Sequence, residues 1–211
     1  GPLDDYVGKL PQDRVIGDPN WRTQIKTSAN DTTQKVERPA RGPHAYEASF
    51  RAGGGVAIAA PALASTMNAD GEFKRQDYLR TAEDAYRFLD AHNKELLNDG
   101  VENIVDDYCA LLAATELYEA THDDVWRKAA DRRADSLMAR LTTHDGQQDY
   151  WRADAGTRPF FHPTDAGLPV VALLEYASIA TPAQQKAVRD VVRRSLAYEL
   201  RVTDGVNNPF G

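Results

Sequence analysis

The sequence predicts an all-α protein made of α-helical hairpins, arranged as about half of an (α/α)6 toroid or as a short α-solenoid. Three observations predict it. After Pro43 the apolar residues recur at helical spacing in six consecutive segments. Those segments alternate between sequences that are apolar nearly all round and sequences with a single apolar stripe. The links between them are short, so successive helices return antiparallel. No clear sequence repeat separates toroid from solenoid.

Residues 1–42 precede this pattern as an irregular N-terminal segment, rich in Pro and Gly and holding the polar runs SAND and NDTT. The Asn30-Asp31-Thr32 triplet within it reads as a chance sequon. The helical body, residues 43–211, opens with a helix over 46–67. Its triple glycine, Gly53 to Gly55, allows close helix packing and is no phosphate loop, because no strand precedes it. Pro61 kinks the same helix. A second helix, 75–97, carries one stripe of Leu79, Ala82, Tyr86 and Leu89. The third, 103–121, has Ile104, Tyr108, Leu111, Leu112 and Thr115 on one side and Ala110, Ala113, Ala114 and Leu117 over the remainder.

The fourth helix, 123–142, is one-sided again, with Trp126, Ala130, Leu137 and Leu141 against the charged run RKAADRRADS. A turn-rich connector over 150–165 leads to the fifth helix, 165–180, which reads LPVVALLEYASIA and starts near Pro169. The sixth, 182–203, returns to a single stripe of Val188, Val191, Val192 and Leu196. A helix apolar all round must be enclosed, so the first, third and fifth are expected to form an inner layer and the others an outer one.

Composition narrows the function. With 211 residues, 42% hydrophobic and 27% charged, the chain can bury one good core, as one domain or as part of a larger one. A net charge of −7 with no basic cluster argues against a nucleic-acid groove. No window nears the roughly 18 to 20 apolar residues of a membrane span, and no signal-peptide pattern opens the chain. The first residues are Gly1-Pro2 in place of Met, which implies that preceding sequence has been removed. The single cysteine, Cys109, lies in a helical apolar pattern and reads as a small buried hydrophobe. His44, His92, His122, His144 and His162 show no metal-ligand spacing, so neither a metal nor another cofactor is expected.

If neighbouring helices are antiparallel, the N-termini of the first, third and fifth share one face. That face collects Glu47 and Arg51, then Glu102, Asn103, Asp106, Asp107 and Tyr108, then the connector. Asn103, Asp106 and Asp165 also fit ordinary N-cap and first-turn roles. The connector asks for more, because two aromatic pairs, Tyr150-Trp151 and Phe160-Phe161, bracket Arg152, Asp154 and Arg158. Flat rings beside carboxylates and guanidiniums suit a sugar, whose C–H face stacks while its hydroxyls take hydrogen bonds. The candidate binding residues are Arg51, Asp106, Asp107, Tyr150, Trp151, Phe161, His162 and Asp165.

The blocks FRAGGGVAIAAPALAS, ENIVDDYCALLAATELYEAT, YWRAD, RPFFHPTDAGLPVVALLEYA and VNNPFG resemble successive parts of the catalytic domain of glycoside hydrolase family 9, in its bacterial cellulase-like and exo-glucosaminidase-like branch. The likeness covers about residues 45–211. It implies an (α/α)6 barrel of six hairpins that cleaves β-glycosidic bonds with inversion. It also implies that this chain is incomplete, because the family's D-A-G-D-like motif and its late general-acid glutamate are missing. Asp165-Ala166-Gly167-Leu168 shares only letters with the first of these. Inversion requires one carboxylic acid and one carboxylate about 6.5 to 9.5 Å apart. The resemblance places that pair outside this chain, which would then supply substrate subsites and meet the rest of its own domain. It implies an oligo- or polysaccharide ligand; the sequence does not give the compartment, and a secreted or periplasmic setting is preferred. The rival readings are a non-catalytic helical module that binds protein or glycan, and a toroid polysaccharide lyase using His162 with Tyr150.

Overall fold

The computed structural model describes residues 48–68, 71–97, 100–161 and 165–206. The segment 1–42, Glu47, His162 and all but the first residue of VNNPFG lie outside the described residues. Within them the protein is an all-α domain of six α-helices with one small two-stranded sheet.

α1, Gly55–Thr66, is preceded by one π-helical turn, Phe50–Gly54, closed by the Gly54 N–H on the Ser49 carbonyl at 3.0 Å. Gly53 sits at φ +97°, a backbone state that L side chains rarely adopt. α2, Arg75–His92, starts where the Asp77 carboxylate accepts the Lys74 N–H at 3.1 Å, and it runs into a 3-10 turn, Asn93–Leu96. α3, Ile104–Thr121, opens with a reciprocal cap. Asn103 accepts the Val105 N–H at 2.8 Å, while Asp106 accepts the Asn103 N–H at 2.9 Å. It ends at His122, which takes the left-handed conformation at φ 56°.

α4, Asp124–Met138, is capped by Asp123 and stops earlier than its apolar stripe suggests. Leu141 leaves the helix because Leu141–His144 forms β1, paired antiparallel with β2, Gln147–Trp151. Asp145 and Gly146 turn the hairpin at φ 48° and 79°, the two left-handed positions of a type I′ turn. The expected loop around Tyr150 is therefore partly a hairpin. α5, Leu168–Tyr176, is shorter than the 165–180 segment, and α6, Pro182–Val206, is slightly longer than expected. A second reciprocal cap opens α6: Gln184 accepts the Thr181 N–H at 2.9 Å and Thr181 accepts the Gln184 N–H at 3.3 Å.

α3 is the hub, packing against α1, α2, α4 and α5. The distinction between enclosed and one-sided helices holds fully only for α3, which buries Ile104 through Leu111, Ala113, Ala114, Thr115 and Leu117. α1 leaves Val56 and Leu63 exposed, and α5 leaves Val171 and Leu174 exposed, so neither is enclosed. The reason is their packing: α1 lies against α2 and α3, and α5 against α3, α4 and α6, and these leave Val56, Leu63, Val171 and Leu174 uncovered among the described residues. The outer helices pack through their stripes, with Trp126 of α4 edge-on to Tyr86 of α2 and Tyr86 against Phe50. At the other end, Asp131 of α4 accepts hydrogen bonds from Tyr176 of α5 and Gln184 of α6. No helix of the described residues is long and apolar enough to cross a membrane.

The glycines set how closely α1 meets α3. A Cβ on Gly55 would stand 2.5 Å from the Cys109 carbonyl oxygen and 2.7 Å from its Cβ, so the helix backbones touch there. Gly55→Ala is expected to destabilise the fold by about 1–3 kcal/mol or more through overpacking, despite alanine's better helix propensity. Urea unfolding checks this; an unchanged midpoint would show that α1 can retreat from α3 without cost.

Candidate functional site

Backbone and side-chain hydrogen bonds gather the N-terminal ends of α1, α3 and α5 on one face. The Arg51 N–H donates to Asp106 Oδ1 at 3.3 Å, which joins the turn before α1 to the start of α3. The Tyr108 hydroxyl donates to Asp165 Oδ2 at 3.0 Å, which joins α3 to the turn before α5. The Ile104 N–H donates to the Ala153 carbonyl at 2.9 Å, which fastens the connector to the same end of α3. The three helix ends thus share a face as expected, although its residues divide into two kinds.

The charged residues form a buried network. Asp106 is fully buried and accepts from Asn93 Nδ2 at 3.0 Å and from the Asn103 and Arg51 N–H groups, with the Arg51 guanidinium at 3.6 Å. Asp107 is also buried and accepts from Arg140 Nε at 2.5 Å, Ser136 Oγ at 3.0 Å and Arg133 Nη1 at 3.5 Å. Arg133 reaches on to both oxygens of Glu102, at 3.0 and 3.1 Å, in a bidentate fork. Asn93 closes the circuit by donating to Glu102 at 2.8 Å and accepting the Phe50 N–H at 2.8 Å. Sequence reading found the carboxylates and Arg51. It missed Asn93, Arg133 and Arg140, which lie on a 3-10 turn, an outer helix and a helix end.

Burial and charge pull on these groups in opposite directions. For Glu102, burial would raise the pKa, but the Arg133 hydrogen bonds and charge and the Asn93 hydrogen bond outweigh it and hold the carboxyl below its usual range. For Asp106, desolvation wins over the donors from Asn103 and Asn93 and over the Arg51 charge, so its pKa is raised. Burial pushes the neighbouring Cys109 thiol up to about 12, with the Asp106 and Asp165 charges adding to it.

The aromatic connector divides sharply. Tyr150 and Trp151 are only 2% and 4% exposed. Trp151 belongs to the hydrophobic core, and the Tyr150 hydroxyl donates to the Thr157 carbonyl at 2.6 Å. The expectation that these two rings offer stacking faces is corrected by the hairpin: β2 ends in two consecutive buried residues, and the chain folds back over them. Arg152 pairs with Pro159 across that return, and the Phe160 N–H donates to the Trp151 carbonyl at 2.6 Å. Asp154 holds the bend by accepting from the Gly156 N–H and from Arg158 Nε. Along this extended return Phe160 turns inward against the core and Phe161 outward, 84% exposed. Of the expected rings, Phe161 is the one that a ligand can reach.

Asp165 is partly buried beside α3, while Arg51, Asp106 and Asp107 lie inside, and His162 lies outside the described residues. Among the described residues no group of His, Cys, Asp and Glu is arranged to hold a metal ion. No protein-family model matches this chain, and no curated protein matches it significantly.

Two outcomes follow from the network. Breaking the Asp107–Arg140 pair by Arg140→Met is expected to cost on the order of 3 kcal/mol, because it strips a donor from a buried carboxylate; the urea midpoint measures it. The pH dependence has two opposing parts. Glu102, with its pKa lowered from 4.5, contributes stability that is full above that value and lost as pH falls through the lowered one. Asp106, with its pKa raised from 3.8, favours the fold most below that value and less as pH rises through the raised one. Glu102→Gln should therefore lower stability at neutral pH and flatten the acid limb of a stability–pH curve. An acid limb identical to that of the unmodified protein would show that Glu102 is not its source.

Proposed function

We propose that this chain is the central to late portion of a family 9 type glycoside hydrolase domain, forming about half of an (α/α)6 toroid. In this reading the face at the N-terminal ends of α1, α3 and α5 binds a β-linked glucan or amino-sugar polysaccharide. The observation that carries it is Phe161, an almost fully exposed ring next in sequence to Phe160, which packs against Tyr108 of α3, with Asp165 in the turn before α5. A sugar ring would stack its C–H face on Phe161 and donate a hydroxyl to Asp165.

The same reading leaves the inverting chemistry to carboxylates outside this chain. Asp106 and Asp107 support that assignment, because protein donors already occupy both and neither is placed to activate a water. The remainder of the toroid would cover the apolar flanks of α1 and α5.

Those flanks also favour a second reading. Val56 and Leu63 on one side and Val171 and Leu174 on the other are the kind of surface a helical interaction module presents to a protein partner.

Calorimetric titration of the 211-residue chain with β-1,4-linked glucose and glucosamine oligosaccharides, together with a reducing-sugar assay, separates the two. Binding without turnover is expected, weakened about fivefold by Phe161→Ala because ring stacking contributes on the order of 1 kcal/mol. Turnover abolished by Asp106→Asn or Asp107→Asn would instead place the chemistry in α3. A chain that ignores every oligosaccharide would favour the interaction module.

A further inference from the structure

We infer that Tyr108 is a positioning residue for the proposed ligand face: it sets the distance between the exposed Phe161 ring and the Asp165 carboxylate. The inference rests on the sugar-binding reading and adds a residue that the sequence offered only as part of the face. Tyr108 is fully buried on α3, and no ligand can touch it. Its two ends nevertheless hold two different parts of the face. The ring lies against Phe160, with centroids 6.2 Å apart, and Phe160 is the inward partner of the outward Phe161. The hydroxyl donates to Asp165 Oδ2 at 3.0 Å, across a sequence separation of 57 residues.

One rigid side chain on the most buried helix therefore ties both candidate ligand-contacting groups to the same point. The hydroxyl is a dependable donor, because burial first, then the nearby Cys109 and Asp165, hold its pKa far above the usual phenol range. Asp165 is kept in its acceptor orientation as long as that proton stays on the phenol. Arrangements of this type, in which a buried group fixes the groups that meet the ligand, decide affinity without contacting it.

The test uses the 211-residue chain titrated with a β-1,4-linked glucose tetrasaccharide and with the matching glucosamine oligomer. Tyr108→Phe keeps the ring contact with Phe160 and removes only the hydroxyl donor. It should weaken binding severalfold, with the unfolding midpoint nearly unchanged. Asp165→Ala should weaken binding by at least as much, and the double variant should be no weaker than Asp165→Ala alone, since both remove one link. Asp165→Asn, which still accepts the phenol proton, should retain most of the affinity lost in Asp165→Ala. If Tyr108→Phe does not fold, the Asp165 pair of variants carries the test, because Asp165→Ala removes the link from the loop side while Asp165→Asn keeps it.

Unchanged affinity in Tyr108→Phe, or equal losses for Asp165→Asn and Asp165→Ala, overturns the positioning role while Phe161→Ala still reports on the ligand face. If the unmodified chain binds neither oligosaccharide, the sugar reading fails and the positioning role fails with it.

Discussion

The burial of Asp106 and Asp107 in the first turn of α3 is the constraint on which the rest of this structure depends. A carboxylate removed from water is tolerated only when hydrogen bonds and opposite charge replace its hydration. Two adjacent ones, pointing to different sides of one helix, recruit donors from different directions. Asp106 draws in Arg51 and Asn93, which brings the π-helical turn and the 3-10 turn to the same end of α3. Asp107 draws in Ser136, Arg133 and Arg140 from α4 and its exit. The positive end of the α3 dipole adds a smaller favourable term to both. Four chain segments distant in sequence thus converge because two neighbouring side chains cannot be left without partners.

That convergence separates support from display. The polar residues that look most like binding groups on paper are engaged inside the protein, Arg51 with Asp106, and Asp107 with Arg133, Ser136 and Arg140. The groups with access to solvent are Phe161 and part of Asp165, and the buried Tyr108 beside them donates to Asp165 and lies against Phe160. A rigid inner network beneath a small exposed display is a common physical solution where a loop must hold one conformation without a ligand present.

How much of this was legible in the sequence depended on the range of the interaction. The six helices were readable because periodicity and caps are local: Asn103 with Asp106, and the apolar stripe of Tyr86 and Leu89, act within a few residues. The hairpin was legible in principle, since Asp145-Gly146 is a strong turn signal, but the stripe of α4 extended in register to Leu141 and concealed the change of period. The burial of Tyr150 and Trp151 was not legible, because it depends on the chain returning over β2 through Arg152 and Pro159. The exposure of α1 and α5 was not legible either. An apolar surface states that it should be covered, while only the packing shows which helix has neighbours on both sides. Of the candidate face, the carboxylates and Arg51 were visible in the sequence and Arg133 and Arg140 were not, since those two come from α4 and its exit.

The contact between Gly55 and Cys109 carries a consequence of its own. α1 lies directly on the backbone of α3 at the one cysteine of the chain, and the thiol beneath it is buried, protonated at neutral pH and shielded from any reagent in solution. Access to that sulfur requires the packing around α3 to open. The protein thereby contains a native chemical clock: the rate at which an alkylating reagent consumes its single thiol follows how readily the packing around α3 opens.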